Sequence, residues 1–256
     1  MSETKETPII KTAAMVVIGD EILSGRTQDK NVAHVAIKIG EIGVQMQEVR
    51  IIPDIEQEIV DAVNYCRAKY DYVFTSGGIG PTHDDITADS IAAAFGVGIG
   101  YHPEAFEILT KHYEQSGVEF NEARKRMARV PDGGTLIDNP VSKAPGFKME
   151  NVFTMAGVPA VLRAMMESIV PMLEGGAKML SRSVQVSLPE GRVAKDLAAL
   201  QEKFPDVSMG SYPYFKAGKV GTNLVLRSVH PDLLEQAQKE LIQMLQAEGA
   251  DYQAEE

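Results

Sequence analysis

Apolar positions in the first part of this chain fall alternately into short unbroken runs and into helical spacings. Ala13 to Ile18 is continuous, the pattern of a strand covered on both faces. Val32, Val35, Ala36 and Ile39 then recur at helical spacing, with Asn31 as the expected N-cap and Gly40 and Gly43 as the stop. Val44 to Ile52 predicts a second strand. Ile55, Ile59, Ala62, Val63 and Cys66 mark the buried face of a helix opening at Pro53 and Asp54, where Asp54 and Gln57 have capping-box spacing. Asp71 to Thr75 predicts a third strand, and Ile86 to Phe95 a helix with Ile91, Ala94 and Phe95 on one face. Three strand–helix units in a row predict a parallel sheet with right-handed crossovers.

The alternation then breaks. Pro103 to Gln115 and Asn121 to Ala128 read as helices, and Thr135 to Ile137 as a short strand. Asn139 to Gly146 is a rigid loop with two prolines. Asn151 to Ala156 is the last strand of this part, and Gly157 to Pro159 turn into a helix from Ala160 to Leu173, with Pro159 suited to its first turn. Met165, Met166, Met172 and Met179 fill core space. Glu174, Gly175 and Gly176 read as a hinge. Beyond them come a strand (184–188), a helix (192–204), two strands (207–212 and 222–229) and a helix (233–245). Tyr212, Pro213, Tyr214 and Phe215 form an aromatic cluster in a turn, suited to packing at an interface rather than to binding a base. Residues 1–10 read as a mobile arm and the acidic tail from Gly249 as frayed. The expected fold is a three-layer α/β domain with a mainly parallel sheet over 11–175, plus a small α+β (βαββα) domain over 180–248.

Composition narrows the setting. No apolar run approaches the ~20 residues of a membrane helix, and the polar start lacks the apolar stretch of a signal peptide. Cys66 is the single cysteine, so no internal disulfide forms. Its place on an apolar helix face, without an activating neighbour in sequence, reads as core. A cytoplasmic protein is expected. A formal charge of -11 argues against a generic nucleic-acid binder.

The chemistry concentrates after the third strand. Thr75, Ser76, Gly77, Gly78, Ile79, Gly80, Pro81 and Thr82 occupy a strand-to-helix turn, the usual ligand position of an open α/β sheet. Glycines there permit positive φ and let backbone N–H groups meet phosphate oxygens. Asp84 and Asp85 follow as hard oxygen donors suited to Mg²⁺ or a similar ion. The turn has neither the Gly-Lys-Ser/Thr ending of a P-loop nor the spacing of a dinucleotide fingerprint. For the glycines alone, a plain tight turn is the alternative. Asp20 and Glu21 start the loop after the first strand, where helix capping is the alternative to a site role. Asp54 is likewise either a cap or a site residue. Arg124, Lys125, Arg126 and Arg129 form the densest basic stretch, as a solvated face or as phosphate contacts.

The run from Thr75 to Asp89 resembles the signature of the molybdopterin-binding (MoaB/Mog-like) domain, and more narrowly its competence/damage-inducible CinA branch. Three further stretches carry the likeness: Ile18 to Gly25, Asn139 to Phe147, and Ala156 to Pro159. It covers about residues 11 to 175. The resemblance implies that Gly19, Glu21, Ser24, Asn31, Asp54 and the glycine turn lie near the ligand. Within the basic stretch, members of that family often have a Lys-Gln pair where this chain has Arg126 and Met127. Ser142 and Lys143 replace the usual Gly-Thr, and Lys143 either adds a phosphate contact or points to solvent.

Two functions follow from that resemblance. One is a metal-dependent nucleotide pyrophosphatase cleaving the diphosphate of ADP-ribose or FAD-like substrates. Asp85, Asp84 and Asp20 are then its catalytic carboxylates, and Asp84 and Asp85 hold Mg²⁺ or Co²⁺, with K⁺ as a further candidate. The other is a molybdopterin-binding protein of cofactor assembly without hydrolase activity. The expected ligand is a small molecule, with neither nucleic acid nor membrane as partner. A homodimer is expected, and a trimer is the alternative. The C-terminal deamidase domain of full-length CinA proteins has no counterpart in this sequence.

Overall fold

The computed structural model describes residues 8–216 and 219–255, so residues 1–7 of the expected N-terminal arm lie outside the described residues. Two compact units divide the chain between Gly176 and Ala177.

In the first unit the order is β1 (Lys11–Ile18), α1 (Asp20–Leu23), α2 (Asn31–Gly40), β2 (Val44–Ile52), α3 (Glu56–Lys69), β3 (Tyr72–Ser76) and α4 (Thr87–Phe95). There follow β4 (Ile99–Tyr101), α5 (Pro103–Ser116), α6 (Glu122–Lys125), β5 (Arg129–Pro131), β6 (Thr135–Ile137), β7 (Gly146–Met149), β8 (Val152–Met155) and α7 (Pro159–Ile169). Six strands form one sheet in the order β2-β1-β3-β8-β7-β6. The first four are parallel, and β7 and β6 add an antiparallel edge. Both faces are covered, as the unbroken apolar run of β1 requires. On one face Met15, Val17, Phe74, Phe153 and Met155 pack against Val35 and Ile39 of α2 and Leu162, Met165 and Met166 of α7. On the other, Ala14, Val16, Val73 and Val152 pack against Ile59, Val63 and Cys66 of α3 and Ile91 of α4. Each Val, Leu, Ile, Phe or Met among them, fully buried, contributes about 1.5–3 kcal/mol. Burial pushes the Cys66 thiol up, in keeping with an inert core residue. The three-layer α/β architecture is as expected.

Local departures have physical causes. The expected helix over 121–128 is broken: α6 ends at Lys125 and a 3₁₀ turn (Arg126–Ala128) leads straight into β5. β5 pairs with β4 in a two-stranded ribbon that short apolar runs did not reveal. The rigid loop also ends sooner than expected, because Gly146 already belongs to β7. A Cβ there would stand 2.3 Å from the carbonyl of Thr154. Gly175 and Gly176 are not a free hinge. A Cβ on Gly175 would meet the Ile42 carbonyl at 2.4 Å, and the Gly176 N–H donates to that carbonyl (3.0 Å). The glycines are there for close backbone approach.

The second unit runs β9 (Leu180–Val186), α8 (Glu190–Lys203), β10 (Ser208–Lys216), β11 (Lys219–Ser228), α9 (Pro231–Ala247) and β12 (Tyr252–Glu255). Its antiparallel sheet has the order β10-β11-β9-β12, with α8 and α9 packed on Val184, Val186, Leu224 and Leu226. Two expectations are corrected here. The tail is not frayed, because Tyr252 to Glu255 pairs with β9. Tyr212 to Phe215 is not a turn but part of β10, paired with β11. Pro213 is tolerated because β10 is an edge strand.

Candidate functional site

Four strand ends meet at one edge of the parallel sheet, and backbone bonds tie their loops together. The Gly19 N–H after β1 donates to Ile52 O (3.1 Å), and the Asp20 N–H to Asp54 Oδ2 after β2 (3.0 Å). The Gly77 N–H after β3 donates to Met155 O at the end of β8 (3.2 Å). These loops line a cleft of about 540 Å³. Of the residues expected at the site, Gly19, Glu21, Asp54, Gly77, Gly78, Ile79, Gly80, Asp84 and Asp85 line it together.

The turn cannot be built from other residues. Gly77 (φ +104°) and Gly78 (φ +67°) are left-handed, where only glycine is unstrained. A Cβ on Gly77 would lie 2.1 Å from Ile18 O, and one on Gly78 2.2 Å from Thr87 Oγ1. Thr87 is fully buried and fixes both carbonyls. Its hydroxyl donates to Gly77 O (2.9 Å) and its N–H to Gly78 O (2.9 Å). The Gly77 amide is therefore taken by Met155. The N–H groups of Gly78, Ile79 and Gly80 have no acceptor among the described residues. Three amides, not four, are free for a ligand.

Carboxylates crowd the same cleft. Asp85 Oδ2 accepts from the Thr82 N–H (2.8 Å) and hydroxyl (2.5 Å), which holds the side chain in place. The Thr82 side chain, and then the backbone amide of Asp84, keep the exposed Asp84 carboxyl below the usual carboxylate range. Asp54 is half-buried. Burial first, then the neighbouring charges of Asp20, Glu21 and Asp84, push its carboxyl above the usual range, against the bond from the Asp20 amide. Among the described residues, four carboxylates and no lysine or arginine line the cleft.

The basic stretch stands behind the glycine turn instead. Arg126 Nη2 donates to Asp85 O (3.2 Å), and its Nε is buried without an acceptor among the described residues. Arg129 holds Asp89 through both terminal nitrogens (3.0 and 2.5 Å). Arg124 and Lys125 bond locally, to Glu119 O and Glu122.

The remaining expected residues are placed around this centre. Asp20, Ser24, Pro81, Thr82 and Lys143 are exposed and do not line the cleft. Thr75 and Ser76 are buried in β3. Asn31 is not an N-cap: the Asp29 carboxylate accepts from the Asn31 and Val32 N–H groups instead. The buried Asn31 side chain donates to Gly157 O (2.8 Å) in the cleft wall, and its Oδ1 has no partner among the described residues. The Asp54–Gln57 capping box does not form, since Asp54 turns to Asp20 and Gln57 donates to Asp61. Lys143 adopts φ +63° because its N–H closes a turn on Asn139 O.

Two residues escaped the sequence reading as site-builders, Thr87 and Asn139. Asn139 is 1% exposed; its Oδ1 accepts from the Val141 and Ser142 N–H groups, and its Nδ2 donates to Ser142 Oγ and Ala144 O. It sets the shape of the loop that forms one cleft wall. An asparagine directly before a proline in a loop was the available signal.

Parallel β/α units whose carboxyl ends converge on a glycine turn with free amides define an α/β ligand-binding protein. The chain belongs to the family described as probable molybdopterin binding domain, matched over residues 14–175, and residues 178–254 match the FAD synthase middle domain. It is similar to a protein of Aeropyrum pernix, 32% identical over 245 residues that cover 91% of each chain. It is also similar to a CinA-like protein of Citrifermentans bemidjiense, 32% identical over 91% of this chain and 58% of that one. Among solved structures it resembles CinA of Thermoplasma acidophilum, a protein described as of unknown function. That match has 30% identity and a TM-score of 0.59, covering 64% of this chain and 98% of the other.

Proposed function

We propose that the chain is a metal-dependent nucleotide pyrophosphatase that hydrolyses the diphosphate of ADP-ribose or FAD-like substrates. The observation that carries this reading is the pairing, in one cleft, of three unbonded amides (Gly78, Ile79, Gly80) with four carboxylates and no basic side chain. The amides suit phosphate oxygens. The carboxylates repel a diphosphate unless a cation stands between them. Among the described residues no three His, Cys, Asp or Glu side chains are grouped to hold an ion by themselves. Two carboxylates completed by substrate phosphate oxygens is the usual Mg²⁺ arrangement, and Asp84 and Asp85 fit it. Bound there, Mg²⁺ or Co²⁺ supplies charge neutralisation and Lewis-acid polarisation. Thr82 orients Asp85, and Arg126 braces the backbone behind it. Asp54, with one oxygen on the Asp20 amide and a raised carboxyl, is the proton carrier, at Oδ1. The FAD synthase-type match and the CinA-like relatives support a nucleotide substrate.

The test is a panel of ADP-ribose, FAD and NAD with Mg²⁺, Co²⁺ or Ni²⁺, read by product mass. Cleavage into two monophosphates is expected. A second reading, molybdopterin binding without hydrolysis, is favoured by the family match over residues 14–175. Failure to cleave any substrate with any metal, with retained binding of a pterin phosphate, would select it.

A further inference from the structure

The sheet of the second unit has two unlike faces. Val184, Val186, Leu224 and Leu226 face the helices. Side chains alternate along a strand, so Gln185, Asn223, Val225, Tyr212 and Tyr214 stand on the other face. The register aligns four of its polar groups. Tyr212 is opposite Asn223, Asn223 is opposite Gln185, and Gln185 is opposite Gln253. One straight row thus crosses all four strands: a tyrosine followed by three carboxamides. None of the three carboxamides has a side-chain hydrogen bond to another described residue. Tyr212 is 54% exposed.

Glycines flatten the aromatic end of the row. A Cβ on Gly210 would lie 3.1 Å from the Tyr212 ring, and one on Gly221 2.3 Å from the Tyr214 hydroxyl. Each ring therefore leans over a glycine on the sheet surface. A ring so placed offers its flat face for stacking.

Independently of the cleft in the first unit, we infer that this open sheet face binds one planar nitrogen heterocycle of the nucleobase or flavin class. The heterocycle stacks on Tyr212, and the carboxamides of Asn223, Gln185 and Gln253 read its edge. Each carboxamide carries both a donor and an acceptor, which matches the mixed edge of such a ring. The formal charge of -11 favours a small ligand over a nucleic acid strand, whose phosphate backbone needs many cations.

The experiment titrates the full chain with AMP, GMP and FMN, each separately, and follows backbone and side-chain amide resonances by two-dimensional NMR. At least one ligand is expected to shift the Asn223, Gln185 and Gln253 side-chain amides together with β10. Tyr212→Ala should weaken that binding about tenfold, the scale of one lost stacking contact, while Tyr212→Phe retains it. The position is exposed on an edge strand, and an unchanged melting temperature confirms folding of both variants. Shifts confined to the Gly78–Gly80 turn, or none at millimolar ligand, would overturn the proposal. So would shifts of the row by a single-stranded oligoribonucleotide with none by the three mononucleotides.

Discussion

Asp85 and Asp54 show how residue-scale geometry separates chemistry from architecture. Asparagine at position 85 keeps an oxygen for the Thr82 N–H and hydroxyl, so the turn survives. What is lost is the charge. Asp85→Asn is expected to leave Tm nearly unchanged and to lower metal-dependent turnover by about 10²–10³. Unchanged turnover would remove Asp85 from the site. Asp54 behaves differently. Its folded carboxyl titrates above the unfolded one, so it favours the fold while protonated, below the ordinary value near ~3.9. It weakens the fold once pH rises past the raised value. Asp54→Asn should therefore raise Tm at neutral pH and leave it unchanged at about pH 3, as a pair of thermal melts would show. The glycine turn was legible because few residue types permit positive φ, and its place after β3 puts Asp84 and Asp85 in the same cleft. The roles of Thr87, Asn31 and Asn139 were not legible. Each depends on a backbone carbonyl or amide brought near by folding, and no local pattern encodes that meeting.

At the scale of elements, the edge strand β2 is fastened to α3 through one carboxylate. Glu48 accepts from the Tyr70 hydroxyl (2.5 Å), Arg50 Nε (2.7 Å) and Lys69 Nζ (3.1 Å). The Tyr70 bond first, then Arg50, lower its carboxyl to about 2. A depressed carboxyl stabilises the fold above its unfolded value and loses that contribution as pH falls through the folded one. Glu48→Gln should lower Tm at neutral pH, with the difference closing as acid titration nears about pH 2. Elements with long apolar periodicity, β1 to β3 and α2 to α4, could be read from the sequence to within a few residues. Among the short strands β6 could be read, but β4, β5 and β7 could not. β4 and β5 are three residues long and pair with each other across a long stretch of sequence, and the four residues of β7, in a tight hairpin with β8, are too few to show a pattern. The far end of β10 was hidden for another reason. Pro213 and the surrounding tyrosines imitate a turn, and only its edge position admits the proline.

For the whole molecule, each of the two units encloses its own apolar core. One comprises the two faces of the parallel sheet, and the other the helices over β9 and β11. All residues lining the cleft belong to the first unit. A fragment spanning 9–176 is therefore expected to unfold cooperatively and to bind ADP-ribose with the affinity of the full chain. Calorimetry and titration of the fragment check both, and a fragment that folds but fails to bind would place part of the site elsewhere. The last residues of that fragment are held by the Ile42 carbonyl and the Tyr72 hydroxyl, so cutting after Gly176 leaves those bonds in place.

The unequal fates of four successive amides also give the glycine turn an internal clock for solvent exchange. The Gly77 N–H is bonded to Met155 O, so its deuterium uptake should be slow with or without ligand. Gly78, Ile79 and Gly80 should take up deuterium at nearly the rate of an open chain. They should slow beside their unchanging neighbour only when phosphate oxygens arrive.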